Sequence, residues 1–407
     1  MFLTKEEEKM LDGEYGEATR LAMRLIVKVG EALGAQKLIN INSAQVSGVS
    51  YKNIGDPGIQ LLEDLVRLGG KSKTLSTLNP AGMDIKNWKK MGIPKEFAEK
   101  QLKIISLYMQ MDILPTCSCI PYLIGNSPKY KEHVAWAESS AVTYANSVLG
   151  ARTNREGGPL ALASALTGKT AFYGFHMEEN RLPTHYIELK AKLRYPADYS
   201  ILGYVVGKKI KTGVPLFSYP RMSPDIECLK ALSAGLATSG SISLFHIENY
   251  TIEAIIKNKQ LQNEKSNMEK IIVEEEEDIK PVFEEYKLTT NPDLIYIGCP
   301  HASIQEIGRI AQMLRNRKIK GDIELWIGTA ANIKILADRA GYTDIIEKSG
   351  GKIITDTCIV VSPLKTLGFQ KILTNSAKAC YYLTGLEKLD VGIATLEKII
   401  KTAIEGV

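Results

Sequence analysis

The spacing of apolar residues changes along the chain, and these changes predict alternating helices and strands. A capping box of Thr4 and Glu7 opens a helical pattern that runs to about Gly34. The next elements predicted by the apolar spacing are a buried strand at 38–41, a helix at 58–68, a strand near 72–78 and a helix over about 94–113. Small and polar residues follow the first strand, where α/β proteins often carry binding groups.

The central part of the chain predicts further alternation and then an acidic stretch. Residues 131–150 are expected to hold one helix of about 15 residues. Pro159 is suited to open the next helix, and residues 169–250 alternate strand and helix signals. Residues 264–285 carry nine acidic and three basic side chains, so we expect an exposed helical segment or linker there.

The clearest pattern lies at 293–360, where apolar strands alternate with amphipathic helices in a βαβαβ unit. Such a unit folds into a parallel sheet with right-handed crossovers. We therefore predict an α/β protein made of several βαβ layers with parallel sheets. Three regions are expected: an N-terminal α/β region with substrate loops at 1–130, a central α/β region ending in the acidic linker at 131–285, and a C-terminal βαβ region at 286–407.

Composition and charge exclude several classes of protein. The 407 residues are 44% hydrophobic and 24% charged, which is typical of a globular chain. No apolar run reaches the roughly 18 residues that a membrane-spanning helix needs, and the N-terminus lacks the pattern of a secretory signal. We therefore expect a cytoplasmic protein with no membrane partner. The net charge of +5 is too small to indicate nucleic-acid binding.

The six cysteines are too few for a disulfide framework in a chain of this length, so free thiols or metal ligands are expected. The chain has no CxxC, HExxH or P-loop pattern, which argues against zinc fingers, zincin proteases and P-loop NTPases. Cys228 and Cys380 lie in helical patterns, where cysteine usually behaves as a small buried hydrophobe.

The other cysteines occupy loops. Cys299 and Cys358 each closely follow a predicted strand, so both should emerge at the carboxyl edge of one parallel sheet, where ligands bind. Cys117 and Cys119 form a CxC pair in another loop. Three thiolates can hold an iron–sulfur cluster with one open iron, and that iron can accept a substrate oxygen as a Lewis acid.

Several polar groups are candidates for substrate contacts. The loop Gly48–Ser50 could cradle an anion, and Arg152 and Arg155 carry guanidinium groups suited to carboxylate or phosphate. Glu138–Ser140 interrupts a partly apolar run, and Lys378 lies near the start of a predicted helix. The simpler alternatives are a solvated helix face, surface salt bridges and a solvated lysine.

Five motifs together resemble the aconitase X family: QVSGVSYKNIGDPG, CIPYLIGNSP, AWAESSAVTYANSVLGARTNREGGP, GCPHAS and DTC. The resemblance covers essentially the whole chain. It implies the fold of an aconitase-like large subunit without the swivelling small domain, and the activity of a hydro-lyase. In the archaeal branch that the chain resembles, the family dehydrates (R)-5-phosphomevalonate to trans-anhydromevalonate 5-phosphate. Bacterial relatives dehydrate cis-3-hydroxy-L-proline.

The resemblance also implies roles for individual residues. The thiols implied to hold a cluster, expected to be of the 4Fe–4S type, are Cys119, Cys299 and Cys358, with Cys117 as the alternative to Cys119. The positions implied to bind substrate are Gly48, Val49, Ser50, Asn79, Pro80 and Lys378, and those implied to be catalytic are Glu138, Ser139 and Lys378.

The resemblance further implies a partner, because a separate small subunit would close over the cluster and contribute a serine. The expected substrate is a phosphorylated hydroxy acid. Dehydration of another hydroxy acid, such as cis-3-hydroxy-L-proline, is the first alternative. A non-catalytic iron-responsive or scaffold protein is the alternative of a different class, and a zinc hydrolase is weaker because the histidines show no ligand spacing.

Overall fold

The computed structural model describes residues 1–218 and 224–407, and those residues form four β-sheets surrounded by helices. The strands are β1 (Leu38–Asn40), β2 (Ser43–Val46), β3 (Leu75–Leu78), β4 (Val134–Trp136), β5 (Lys169–Ala171), β6 (His185–Leu189), β7 (Pro215–Phe217), β8 (His246–Ile247), β9 (Glu269–Val273), β10 (Leu294–Ile297), β11 (Glu324–Thr329), β12 (Lys352–Thr355), β13 (Lys371–Thr374) and β14 (Asp390–Ile393). The helices are α1 (Lys5–Asp12), α2 (Glu17–Ala32), α3 (Tyr51–Arg67), α4 (Lys95–Gln110), α5 (Ser139–Tyr144), α6 (Gly158–Thr167), α7 (Pro196–Ile210), α8 (Ile226–Ser239), α9 (Ile252–Ile256), α10 (Asn258–Glu264), α11 (Lys280–Glu285), α12 (Ile304–Leu314), α13 (Ala331–Arg339), α14 (Tyr342–Ser349), α15 (Ala377–Glu387) and α16 (Leu396–Glu405).

The first part of the chain is built on a parallel sheet with strand order β3-β2-β4. The helix predicted across residues 131–150 is wrong, because β4 and α5 share that segment. All three residues of β4 are buried, and the strand pairs with β2, so burial in the sheet overrides the local helical pattern. This pairing also extends the first sheet beyond the boundary predicted at residue 130.

The N-terminal helical pattern likewise divides into two helices. Gly13 ends α1 with a φ of 95°, a conformation that glycine adopts without steric cost, and α2 starts at Glu17. The helix predicted at 58–68 starts earlier, at Tyr51, and is kinked at Gly55.

The central part contains a parallel sheet of order β8-β7-β6-β9. Strand β9 comes from the acidic stretch and pairs with β6 along its whole length. The prediction of an exposed helical segment or linker at 264–285 is therefore wrong for Glu269–Val273. Residues 219–223, within the range predicted to alternate, lie outside the described residues. Helices α7 and α8 cross so closely at Gly203 and Gly235 that a side chain at either position would meet the opposite backbone.

The third part confirms the predicted βαβαβ unit as a five-stranded parallel sheet of order β12-β11-β10-β13-β14. Its carboxyl edge meets the carboxyl edge of the first sheet. The Cys358 backbone N–H donates to the Ala81 carbonyl at 3.0 Å, and the Ser50 hydroxyl donates to the Val361 carbonyl at 2.9 Å. Loops from both sheets therefore line one junction, which we call the sheet junction. Among the described residues, no helix has the length and apolar character required to cross a membrane.

Candidate active site

Three thiols from separate loops come together at the sheet junction. Cys299 follows β10 and Cys358 follows β12, while Cys119 lies in the loop between α4 and β4. Burial and the nearby Glu138 raise the pKa of each, to about 12 for Cys299, so the free thiols stay protonated. Cys358 also raises the pKa of Cys119 and of Cys299, and Cys299 raises that of Cys119, so the three thiols are neighbours, as the strand ends predicted for two of them.

The arrangement of these three thiols differs from a site for a single metal ion. Within residues 1–218 and 224–407, no three His, Cys, Asp or Glu side chains are grouped closely enough to share one ion. An iron–sulfur cluster makes a different demand, since each of its thiolates binds a different iron atom. Three partly buried thiols brought together from separate loops fit such a cluster, and they do not form a tetrahedral zinc site.

Cys117 points away from these thiols. It is completely buried in the apolar core of the first part of the chain, with a φ of 42°. Burial and the nearby Asp356 raise its pKa, and none of the other cysteines contributes to that shift. Of the two thiols in the CxC pair, Cys119 is thus the one that faces Cys299 and Cys358. Cys228 and Cys380 are buried in helices α8 and α15, as predicted.

His301 links the three cysteine loops. Its backbone N–H donates to Cys119 Sγ at 3.2 Å, its Nε2 lies 2.9 Å from the Thr357 carbonyl, and its Nδ1 lies 3.0 Å from the Ser118 hydroxyl. Burial lowers its pKa to about 4, so the ring is neutral. Because a carbonyl can only accept, Nε2 carries the proton and Nδ1 accepts from Ser118. No role was predicted for this histidine, although it follows Cys299 by two residues.

A buried ion pair lies beside the thiols. Lys378 Nζ is 2.6 Å from Glu138 Oε1 and 3.1 Å from Ser139 Oγ. Glu138 is the N-cap of α5, and its other oxygen accepts from the Ser140 hydroxyl and the Ala141 N–H, both at 2.6 Å. The structure therefore brings together all three residues predicted to be catalytic.

The two charges of this pair hold each other in the ionised state. Burial raises the pKa of Glu138, but the lysine and the hydrogen bonds outweigh burial and the net pKa is lowered. Burial lowers the pKa of Lys378, yet Glu138 and the adjacent thiols raise it above its ordinary value. Lys378 is the second residue of α15, where the helix dipole disfavours a cation, so helix stability does not explain a lysine at this position.

The loop Gly48–Ser50 connects β2 to α3 at the same junction. Gly48 has a φ of 84°, and none of the three backbone N–H groups in this loop donates to another described residue. Gln101 braces the loop by donating to the Val49 carbonyl at 2.7 Å and accepting from the Tyr51 N–H at 3.2 Å. The loop thus presents free donors at the start of a helix, which is an arrangement suited to an anion.

Asn79 and Pro80 follow β3 beside this loop. The Asn79 backbone N–H donates to the Val46 carbonyl at 2.9 Å, whereas its side-chain Oδ1 is buried without a hydrogen-bond partner in the described chain. A buried oxygen of this kind is costly unless a ligand or water satisfies it. The residues predicted to bind substrate are therefore all at the sheet junction.

The two arginines of the GARTNREGG loop have different environments. Arg152 is buried and pairs with Glu178 at 2.7 Å and Glu253 at 2.8 Å, so it has a structural role. Arg155 is exposed and donates from Nη1 to the Ala237 carbonyl at 3.2 Å.

A second buried charged group was missed by the sequence analysis. Lys230 is almost inaccessible to solvent, and it lies 2.5 Å from Glu227 and 3.6 Å from Glu306. The Ser303 hydroxyl, in the loop after Cys299, donates to Glu227. Burial and the adjacent Glu227 raise the pKa of Glu306 to about 8. The sequence does carry a signal for this group, because Lys230 follows Glu227 by three residues in an otherwise apolar helix.

Three family models and several named relatives match this chain. Models of the first, second and third aconitase X domains match residues 1–179, 183–284 and 292–405. A relative named phosphomevalonate dehydratase large subunit, from Methanocaldococcus jannaschii, is 50% identical over 98% of this chain and 100% of that protein. A cis-3-hydroxy-L-proline dehydratase from Hypocrea jecorina is 34% identical and covers 99% of this chain, which spans 69% of that relative.

A solved structure extends the similarity to three dimensions. The crystal structure of Thermococcus kodakaraensis aconitase X in its holo-form has a TM-score of 0.91 and 46% identity, and the match covers 99% of this chain and 100% of that one. The predicted parallel-sheet α/β architecture is confirmed by this match and by the sheets themselves. The chain therefore belongs to the aconitase X family.

Proposed function

We propose that this chain is the large, catalytic subunit of a phosphomevalonate dehydratase. It is a hydro-lyase that converts (R)-5-phosphomevalonate to trans-anhydromevalonate 5-phosphate and water. The observation that carries the proposal is the buried Lys378–Glu138 pair beside three thiols, at a junction that also presents free backbone donors. Support comes from archaeal relatives 43–50% identical to this chain and named for that activity, whereas the hydroxyproline dehydratases are more distant.

Cys119, Cys299 and Cys358 would hold the iron–sulfur cluster, which we infer to be of the 4Fe–4S type. When bound, such a cluster supplies a Lewis-acidic iron that polarises a substrate hydroxyl. The donor set fits, because three partly buried thiols are neighbours and the neutral His301 donates its backbone N–H to one sulfur. That hydrogen bond favours the thiolate form of Cys119, which is the form that binds iron.

The groups at the sheet junction have different roles in binding the substrate and in holding the charge of Lys378. Lys378 stays protonated at neutral pH, so its ammonium group can bind the substrate carboxylate near the thiols. Glu138 and Ser139 hold that ammonium group in place. The loop Gly48–Ser50 offers three N–H groups to the phosphate at the other end of the substrate.

The proton on the carbon next to the carboxylate needs a base. Glu138 is a poor base at neutral pH, because its oxygens already accept from Lys378, Ser140 and Ala141 and its pKa is low. We therefore propose that the partner chain, the small subunit, completes the site with a serine and excludes bulk water when it closes. All six cysteines are free thiols, which suits a reducing cytoplasm.

The partner can be tested with the purified chain. After anaerobic reconstitution with iron and sulfide, the isolated chain should bind phosphomevalonate without turnover, and adding the small chain should start turnover. Full turnover by the isolated chain would contradict the need for a partner and would show that the catalytic base is a residue of this chain.

The substrate can be tested by direct competition. The reconstituted complex is given phosphomevalonate and cis-3-hydroxy-L-proline separately, and dehydration is followed by NMR. We expect turnover of the phosphorylated acid alone. Comparable rates on hydroxyproline, with no turnover of phosphomevalonate, would favour the alternative dehydratase, and cluster binding without turnover of either would favour a non-catalytic iron-responsive protein.

A further inference from the structure

Arg155 lies at the same sheet edge as the proposed substrate site. It forms a parallel bridge with Trp136 of β4, and the following Glu156 N–H donates to the Trp136 carbonyl at 3.0 Å. The segment around Arg155 thereby extends the first sheet by one strand beyond β4. Since parallel strands end at a common edge, Arg155 shares that edge with Asn79, Gly48 and Glu138.

The segment after Arg155 packs directly against the loop expected to bind phosphate. A Cβ atom at Gly158 would lie 2.8 Å from the Ser47 carbonyl oxygen, so only glycine allows this approach. Neighbouring strands are about 4.8 Å apart, which puts the backbone of Arg155 about 10 Å from that of β2. A long side chain can cross much of that distance to meet an anion held by Gly48–Ser50.

The charge of Arg155 is not neutralised within the described chain. Its guanidinium makes one hydrogen bond, to the Ala237 carbonyl near the end of α8, and no described carboxylate pairs with it. By contrast, Arg152 is paired with Glu178 and Glu253, and Lys52 beside the loop is paired with Glu387 at 2.6 Å. The anchoring bond fixes one nitrogen and leaves the other donors of the guanidinium for a ligand.

We propose that Arg155 is a specificity residue that binds the terminal phosphate of the substrate, together with the backbone N–H groups of Gly48–Ser50. This inference rests on the proposed function, since it concerns one end of phosphomevalonate. Lys378 pairs with Glu138 just after β4 and serves the carboxylate end, whereas Arg155 lies on the next strand outward from β4. The two cations would thus select a substrate with an anion at each end.

The test compares Arg155→Gln and Arg155→Lys with the unchanged complex of both subunits. Because a charge-assisted hydrogen bond is lost, Arg155→Gln should raise KM for phosphomevalonate about 10- to 100-fold while kcat changes little. Arg155→Lys should recover part of the affinity. Arg339→Gln is the matched control, because Arg339 is exposed at the far end of α13, at the opposite edge of its sheet, and KM should not change.

Mevalonate, tested as a competitive inhibitor, separates the two anions of the substrate. Its inhibition constant should be the same for the unchanged complex and for Arg155→Gln. An equal loss of affinity for mevalonate would assign Arg155 to the carboxylate and overturn the proposal. The proposal is likewise refuted if Arg155→Gln leaves KM unchanged and only lowers the melting temperature, or if it weakens association with the small chain.

The same data distinguish failure of this inference from failure of the proposed function. If the unchanged complex turns over phosphomevalonate and Arg155→Gln has the same KM, only the role of Arg155 is rejected. An unchanged complex that neither binds nor converts phosphomevalonate rejects the proposed function and, with it, this inference.

Discussion

Removing the charge of Lys378 should reduce both stability and activity, and the two losses can be separated. In Lys378→Met the Glu138 carboxylate stays buried without its cation, which typically costs about 3–5 kcal/mol. The lower end applies here, because Ser140 and Ala141 still donate to the second carboxylate oxygen. With an unfolding entropy of roughly 2.1 cal/mol/K per residue over this chain, about 3 kcal/mol corresponds to a melting temperature lower by about 3–4 °C.

The double variant Glu138→Gln/Lys378→Met provides the decisive comparison. It removes both charges, so the cluster-free protein should recover most of the lost melting temperature in scanning calorimetry. Activity should not recover, because the cation that binds the carboxylate is still absent, and kcat/KM should remain at least about 10²-fold below that of the unchanged complex. A double variant no more stable than Lys378→Met would refute the charge-pair reasoning, and one with restored activity would refute the role of Lys378.

Other buried side chains lead to three further predictions. Glu306 keeps its proton in the folded chain up to about pH 8 and loses it near pH 4.5 when unfolded, so stability from this group falls as pH rises between these values. Denaturant titrations should therefore show Glu306→Gln gaining stability relative to the unchanged chain from pH 5 to 8, and a pH-independent difference would contradict the raised pKa. Arg152→Met should lower stability by about 3 kcal/mol without changing KM, because it leaves Glu253 buried with one cation fewer, and a KM effect would give Arg152 a role in binding. Cys117→Ala should retain the full iron and sulfide content of the reconstituted chain, whereas Cys119→Ala should lose it, and the reverse result would identify Cys117 as the ligand.

The sequence predicted the parts of the fold in which local pattern and tertiary structure agree. The βαβαβ unit was visible because its strands are mainly apolar and its helices amphipathic, and the ends of β10 and β12 predicted that Cys299 and Cys358 are neighbours. Strand β4 was missed because its three residues become a strand only through pairing with β2. Glu138 consequently caps a helix that starts after a strand, and does not interrupt a longer helix.

The contacts between distant segments could not be predicted from local pattern. The Lys378–Glu138 pair joins residues 240 positions apart, and the Lys230 group depends on α8 packing against the loop after Cys299. Family resemblance suggested which residues belong to the site, but the difference between Arg152 and Arg155 required the structure. Both are arginines in the same loop, and only their partners separate a structural role from a binding role.

We propose that dehydration takes place at a cluster held by three thiols of this chain. The most direct measurement follows the conversion of phosphomevalonate by NMR in reconstituted complexes that carry the unchanged chain or Cys299→Ala, with iron and sulfide determined on the same samples. We predict that the unchanged complex forms the anhydro product and that Cys299→Ala loses both the cluster and the turnover. Turnover at the unchanged rate by Cys299→Ala, or by a complex free of iron and sulfide, would contradict dehydration at the cluster.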